Sequence, residues 1–354
     1  MIHHKIIILS LALFASNVSA QDNHFSHYEN APQYINPATT GVFIGNSRLI
    51  TSYREQWDKV LAAQKYKTAF VSFDSKINAD CKKDNFFSVG GYILADEVSA
   101  LHFKNIQISP AVSYQVLLQK TNRSELSLVA GTSLNITNQR LDYSDARWGE
   151  QIVKGVFNPA LPVNEPQFLA NGKNQQTDFD PSVGVMLFKL FDIYRFNAMY
   201  LGFSMHHITK PSRSFINDPM LPYLSSRYVL QLGGEIEFRN ARIGLSPDLL
   251  ASIQGNIWQI NTGFDLNYRL GGSRRDINHI RVGGHIRSAY KGIDAFIISG
   301  GYDHESIGIG FSYDINTSML AIASRGRGAL EMSVRYRFSS NNTKCNVGCP
   351  SKKF

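Results

Sequence analysis

The stretch that decides the fold is "ALEMSVRYRF", residues 329–338. Apolar and polar side chains alternate along it: Leu330, Met332, Val334, Tyr336 and Phe338 on one side, and Glu331, Ser333, Arg335 and Arg337 on the other. A period of two residues is that of a β-strand with one apolar and one polar face. The alternation stops at Phe338, although the chain continues through residues 339–354. We therefore expect the folded body to end at Phe338.

The same alternation recurs from Arg48 onward, between clusters of Gly, Asn, Asp and Pro. No stretch of comparable length has the 3.6-residue period of a helix, so the sequence predicts an all-β protein. The 14 predicted strands are residues 48–54, 66–77, 86–94, 101–119, 124–138, 179–189, 194–207, 226–238, 242–253, 257–269, 277–288, 293–302, 305–316 and 327–338.

The lengths of the connections separate a transmembrane barrel from a soluble sandwich or propeller. In a bacterial barrel both termini lie in the periplasm, so connections after odd-numbered strands face outside and are long. The long predicted connections, 55–65, 139–178, 208–225 and 317–326, all follow odd-numbered strands. Most even-side connections are a few residues, although 78–85 and 270–276 are longer. This asymmetry favours a transmembrane outer-membrane β-barrel of about 14 antiparallel strands.

Composition narrows the possible functions. Charged residues make up 18% of the chain and its formal net charge is +8, but the basic residues form no Lys/Arg run. Nucleic-acid binding is therefore disfavoured. Beyond residue 20, no apolar run reaches the ~20 residues that a spanning helix needs.

The N-terminus predicts export. A basic start, "MIHHK", precedes the apolar run "IIILSLALFAS" and the small-residue cleavage pattern "NVSA". These are the parts of a cleaved signal peptide, which we place at residues 1–20.

Residues 21–47, the leader, do not alternate like a strand. They are rich in Asn and aromatic residues, and Pro32 and Pro37 oppose regular pairing. Two interpretations stay open: a disordered leader, or an ordered plug-like segment in the barrel lumen, where Tyr28, Tyr34 and Phe43 would pack. A barrel of this size encloses space that its own side chains do not fill.

Both ends of the predicted mature chain resemble one family. "FSHYENAPQYINPATTG" (25–41), "YREQW" (53–57) and "FSYDINTSMLAIASRGRGALEMSVRYRF" (311–338) are similar to motifs of the PorP/SprF family of Bacteroidota outer-membrane proteins. His27 and the stretch "NAPQ" depart from the usual leader pattern, and the Cys-containing tail is not part of it.

The resemblance implies a FadL-like barrel that is accessory to the type IX secretion system. Expected partners are secreted or surface proteins of the gliding-adhesin type that carry a C-terminal sorting domain, other secretion components and outer-membrane lipid. An alternative is a FadL-like transport barrel for small or apolar solutes. A third is a soluble, exported carbohydrate-binding protein.

Candidate contact residues come from the matched motifs. Expected contacts to a partner or to the plug are Asn36, Pro37, Ala38, Arg54, Trp57, Asp314, Asn316, Arg325 and Arg327. The first three are expected to form a turn in the leader. The guanidiniums of Arg325 and Arg327 either grip carboxylates in bidentate fashion or are simply solvated. Glu331, Arg335 and Arg337 are expected to form ion pairs on the lumen wall.

No catalytic or metal-binding pattern emerges from the sequence. His24, His27 and the pair His206-His207 lack Cys or carboxylate companions at ligand spacing. No G-x-S-x-G motif occurs. We therefore expect no enzyme activity, no cofactor and no metal.

The last segment is predicted to be a periplasmic tail, residues 339–354. Cys345 and Cys349 are close enough in sequence to form a disulfide in an oxidising compartment, or else remain free thiols. The predicted organisation is thus signal peptide 1–20, leader 21–47, barrel 48–338 and tail 339–354.

Overall fold

The computed structural model describes residues 22–338 except 57–65, 78–84, 99–102, 143–150, 154–155, 159, 162–173, 193–196, 214, 216–222, 239–241, 272–277, 291 and 319–320. The predicted signal peptide and tail, with Cys345 and Cys349, lie outside the described residues, as does Trp57. Within the described part of the chain, no helix combines the length and apolarity that crossing a membrane requires.

Fourteen antiparallel strands form one closed barrel. They are β1 (Ser47–Gln56), β2 (Tyr66–Ile77), β3 (Phe86–Val98), β4 (Phe103–Lys120), β5 (Glu125–Arg140), β8 (Gln175–Asp192), β9 (Asn197–His206), β10 (Arg227–Glu237), β11 (Ile243–Gln254), β12 (Ile257–Arg269), β13 (Asn278–Ala289), β14 (Gly292–His304), β15 (Ile307–Asn316) and β16 (Arg327–Phe338). Two short strands, β6 (Ile152–Val153) and β7 (Val156–Phe157), form a separate hairpin between β5 and β8. The predicted fold is confirmed, and every predicted strand overlaps one barrel strand.

The last strand closes the barrel. β16 pairs with β15 on one side and with β1 on the other, in a continuous register from Ser47 opposite Phe338 to Gln56 opposite Ala329. No open sheet edge remains in the barrel. Closure satisfies the backbone N–H and C=O groups of the strands, which a lipid environment requires. The alternating stretch that ends at Phe338 thus closes the barrel.

The barrel has a polar inside and an apolar outside. On β16, Leu330, Met332 and Val334 are exposed, whereas Glu331 and Arg335 point inward and are buried. A soluble barrel would show the opposite arrangement, with apolar residues inside. The outward apolar band is the surface that lipid covers in a transmembrane barrel.

The two ends of the barrel differ. Ser47 and Phe338 lie at the end where β4–β5 and β14–β15 are joined by short connections, 121–124 and 305–306. We call this the terminal end. The opposite, long-loop end carries connections 141–174 and 207–226.

The leader lies inside the barrel. It contains three short helical segments, Tyr28–Asn30, Pro32–Ile35 and Pro37–Thr39. Two of them begin at a proline, whose missing N–H costs nothing at a first helical position. The leader ends at the terminal end, where the Asn46 N–H donates to the Phe338 carbonyl at 2.9 Å.

Two apolar clusters join the leader to the inner wall. The first cluster contains Phe25, Tyr28, Ala31, Tyr34 and Ile35 of the leader with Phe70, Tyr92, Leu94, Val229 and Leu250 of the wall. The second contains Ala38 and Val42 with Val129, Met186, Phe188 and Tyr200. The core of this protein is therefore the contact between the leader and the inner face of the barrel.

The outward face generates a prediction about depth in the membrane. Val282 is 57% exposed near the middle of β13, whereas Ile307 begins β15 at the terminal end. Val282→Arg should lower the free energy of unfolding by about 2–4 kcal/mol, and Ile307→Arg by about 0–1 kcal/mol, because the cost of a lipid-facing Arg falls towards the interface. Urea unfolding in lipid vesicles measures both values. Equal costs at the two positions would contradict the assigned lipid face.

Candidate functional site: the interface between leader and wall

Asn36 both shapes the leader and attaches it to the wall. Its side-chain oxygen accepts the Ala38 N–H at 2.9 Å, which caps the Pro37–Thr39 turn. Its Nδ2 donates to the carbonyl oxygens of Val185 on β8, at 3.3 Å, and of Phe203 on β9, at 3.5 Å. The side-chain amide of Asn36 thus forms hydrogen bonds with the turn and with two wall strands.

The wall lacks side chains where this turn rests. A Cβ added at Gly131 on β5 would lie 2.6 Å from the backbone of Pro37 and Ala38. A Cβ at Gly184 on β8 would overlap the Asn36 side chain. The close approach of the turn therefore requires glycine at these positions.

A buried charge cluster holds the leader at Ser26. Arg54 on β1 binds Asp314 on β15 at 3.2 Å and Glu331 on β16 at 3.3 Å. The Ser26 N–H of the leader donates to Glu331 at 2.9 Å, and its hydroxyl contacts Arg54. Arg287 on β13 completes the cluster with a 2.8 Å bond to Asp314. In the lumen wall, Glu331 thus accepts a hydrogen bond from Ser26 and Arg54 donates one to it.

A second charge pair holds the leader near the terminal end. Arg48 and Asp74 lie opposite each other on β1 and β2, with bonds of 3.0 Å from Nε and 2.7 Å from Nη2. The Gly41 N–H donates to Asp74 at 2.8 Å, and Arg48 also donates to the Thr39 carbonyl at 3.3 Å. The guanidinium lies 4.7 Å from the ring centre of Phe43.

A third cluster holds the start of the leader at the long-loop end. His207 lies between two carboxylates, with Nε2 2.5 Å from Asp22 and Nδ1 2.7 Å from Asp180. Arg227 donates to Asp22 at 3.2 Å and to the Tyr34 hydroxyl at 3.1 Å. The leader thus contacts the wall at both ends of the barrel and in between.

Burial and neighbouring charges shift the pKa values of this cluster in opposite directions. Burial raises the pKa of Asp22, but the positive charges of His207, Arg227 and Arg213 outweigh it, so the net pKa is lowered. Burial lowers the pKa of His207, but Asp22 and Asp180 outweigh it, so the net pKa is raised above 6.5. These directions favour an ion pair of charged His207 with Asp22. Burial also raises the pKa of Tyr34 to about 12, so its hydroxyl stays neutral.

The remaining predicted site residues lie in two other places. Asn316 donates to the Ser324 hydroxyl at 3.3 Å beside connection 317–326 at the long-loop end. Arg325, with a φ of 52°, and Arg327 are exposed there. Towards the terminal end, Arg335 donates to Asp303 at 2.8 Å and Arg337 to the Glu305 carbonyl at 3.1 Å.

Of the predicted set, the structure brings Arg54, Asp314 and Glu331 together around the leader and places Asn36, Pro37 and Ala38 against β5, β8 and β9. Sequence reasoning missed Arg48, Asp74, Asp22 and His207. The signal for the Arg48–Asp74 pair was present, since both are charges on the polar face of adjacent predicted strands. No sequence spacing links Asp22 with His207.

Comparison with known proteins assigns the family. A family model described as "Type IX secretion system membrane protein PorP/SprF" matches residues 17–336. The chain belongs to the PorP/SprF family. The resemblance found in the two terminal motifs is thereby confirmed, and PorP/SprF membership with the barrel fold makes this an outer-membrane component associated with type IX secretion.

The solved structures that are similar to this chain match it at low identity and low TM-score. The P. putida toluene transporter TodX is 12% identical, with a TM-score of 0.40 over 86% of this chain and 93% of that one. The translocator domain of the autotransporter NalP from Neisseria meningitidis is 9% identical, with a TM-score of 0.36 over 88% of this chain and 96% of that one. The comparison with curated proteins finds no match.

The glycine contacts yield a matched pair of variants. Gly131→Ala should lower the free energy of unfolding by about 1–3 kcal/mol, because the added methyl meets leader backbone that has no flexible end to move. Gly284→Ala is the control, since a Cβ there meets nothing within 4 Å. Urea unfolding, monitored by the migration of the barrel on gels, measures the free energy of unfolding of both variants. If Gly284→Ala lowered the free energy of unfolding as much as Gly131→Ala, close packing against the leader would not be the cause of the loss.

The central charge cluster predicts a large loss on removing its guanidinium. Arg54→Met should cost about 3–5 kcal/mol, because Asp314 and Glu331 stay buried with one cation fewer. Arg123→Met in the exposed turn 121–124 should change stability by no more than about 0.5 kcal/mol. The free energy of unfolding of both variants tests this, and a loss below 1 kcal/mol for Arg54→Met would count against the cluster.

The start of the leader should loosen at alkaline pH. A folded-state pKa raised above 6.5 means that His207 contributes its full stabilisation below about pH 6.5 and loses it as the pH rises through the folded value. A spin label at Asn23→Cys should therefore become more mobile in its electron paramagnetic resonance spectrum as the pH is raised. The His207→Gln background should remove this pH dependence. An unchanged profile in that background would show that another group is responsible.

Proposed function

We propose that this PorP/SprF barrel binds or anchors specific secreted surface proteins of the gliding-adhesin type that carry a type IX C-terminal sorting domain. It would act together with other components of the secretion system. The role is that of a binding protein and not of an enzyme.

The occupied lumen is the observation that carries this proposal. The leader fills it with two apolar clusters and is bonded to the wall at Asp22, Ser26, Asn36 and Gly41. A barrel filled by its own chain is suited to presenting surfaces more than to conducting solutes. Family membership supplies the secretion context.

The long-loop end is the surface that fits a partner outside the cell. In bacterial barrels the end opposite the termini faces outside and carries the longer connections. Tyr223 and Tyr290 are 64% and 69% exposed at this end. Arg325 and Arg327, at connection 317–326 of the same end, are exposed as well. Tyr and Arg are enriched at protein interfaces and in their energetic hot spots. We name these four residues the rim.

The test is made in cells of the native host. Deleting the gene should remove one or a few proteins with C-terminal sorting domains from the surface, and the wild-type gene should restore them. In the deletion strain, a rim variant that combines Tyr290→Ala, Arg325→Ala and Arg327→Ala should produce a folded barrel in the outer membrane. It should not return the missing partner protein to the cell surface. Arg123→Ala at the opposite end serves as the matched control. An unchanged surface proteome after deletion would refute the proposal.

One feature favours the alternative role in transport of small or apolar solutes. A cleft at the long-loop end has a mixed lining of polar and apolar side chains, and the apolar ones include Phe25, Leu250 and Trp258. Residues of the leader, Asp22 to Phe25 and Ile35, form part of the lining of this cleft. A solute-dependent growth defect of the deletion strain, with its surface proteins intact, would support transport and exclude the binding role.

A further inference from the structure

Five side chains with metal-binding donors, four of them buried and one, His27, partly buried, meet where the leader crosses strands β11 to β13. His27 and Glu29 come from the leader, and Asp248, Asp265 and His285 come from β11, β12 and β13. The sequence gives no hint of this group, because its members are far apart in the chain.

The strand register explains how the wall members meet. Asp248 lies opposite Gly263, and Gly263 lies opposite His285 on the next strand. Since glycine has no side chain, Asp248 and His285 reach across it, and the His285 Nε2 lies 3.1 Å from an Asp248 carboxylate oxygen. Asp265 follows Gly263 by two residues and therefore points to the same inner face.

The donor atoms are close to coordination distance. They form two groups, His27 with Glu29 and Asp265, and Asp248 with Asp265 and His285, and all donor atoms within each group lie within 4.8 Å of one another. The His27 Nε2 is 3.9 Å from Asp265, and the rings of His27 and His285 are 5.6 Å apart. Tetrahedral ligands at about 2.0–2.2 Å from a metal are about 3.3–3.6 Å from one another. Within either group of three donors, side-chain shifts of less than about 1 Å per ligand would therefore suffice.

Supporting contacts orient these donors. The Ser299 hydroxyl donates to Asp265 Oδ1 at 3.0 Å, and Gly283 leaves the space that this oxygen occupies. Hydrogen bonds of this kind hold the ligands of natural metal sites in orientation. His285 is 5% exposed and its Nδ1 has no hydrogen-bond partner among the described residues. A cavity of about 10 Å³ borders His27 and Asp265.

The local charge favours a cation. Glu29, Asp248 and Asp265 are buried carboxylates with at most 5% exposure. Arg281 lies at the edge of the cavity, but its guanidinium bonds Asp303 at 2.8 Å. Burying three carboxylates close together is costly, and a bound dication would offset that cost.

We propose that these five side chains form a binding site for a first-row transition-metal dication of the zinc class, with Asp265 shared between both groups of donors. Two imidazoles with carboxylates suit such ions, whereas Mg²⁺ and Ca²⁺ prefer sites made entirely of oxygen ligands. Because the ligands come from both the leader and the wall, the metal fastens the leader to β11–β13. The site is independent of the proposed role in surface-protein binding.

Metal content tests the site in the protein as cells assemble it. The barrel is purified, without a His tag, from cells grown with added ZnCl₂, washed with EDTA, and analysed by plasma mass spectrometry. We expect about one zinc per chain in the wild type and at least a fivefold loss in both His285→Ala and His27→Gln. X-ray absorption of the wild-type protein should show only nitrogen and oxygen ligands.

Three controls make the outcome decisive. His304→Ala removes an exposed histidine and should keep the zinc. Cys345→Ser with Cys349→Ser should also keep it, and heat-modifiable gel migration shows whether each variant is a folded barrel. Less than 0.2 zinc per chain in the folded wild type, or full retention in the folded His285→Ala and His27→Gln variants, would overturn the proposal. So would sulfur ligation, or loss of zinc in the cysteine variant alone.

Discussion

Pairing of β1 with β16 is the constraint on which the rest of the structure depends. Ten residue pairs, from Ser47–Phe338 to Gln56–Ala329, join the two ends of the sheet. Without this closure, two strands would expose unpaired backbone groups to lipid, which a membrane does not tolerate. Closure also creates a lumen with a polar lining. The leader is covalently continuous with β1, so it enters that lumen where the barrel closes.

The filled lumen in turn dictates the chemistry of the inner wall. Charged side chains there are buried away from bulk water, and they need partners of opposite charge or backbone groups. Arg54 with Glu331, Arg48 with Asp74 and Arg227 with Asp22 meet this need, and each pair also contacts the leader. The leader thus provides both the apolar packing and the polar partners that the inner wall needs. The five-residue group around Asp265 brings three carboxylates and two imidazoles together, and it is there that we infer a metal.

The sequence predicted the barrel well, because lipid imposes a strict two-residue period on every strand. It also drew attention to Arg54, Asp314 and Glu331, through motifs and through the polar face of the last strand. Inward apolar residues such as Phe70 and Val129 were not recognised, because a buried apolar side chain on a polar face has meaning only once its leader partner is known. The contact of Asp22 with His207 spans 185 residues and depends on the path of the leader through the lumen, which no local pattern encodes.

The central claim is that the leader occupies the lumen and contacts the wall at both ends of the barrel and in between. Single-channel recording of the full-length protein in planar lipid bilayers tests this claim most directly. The account predicts no steady ion conductance above that of the bare bilayer. A stable open pore in the wild-type protein would contradict it.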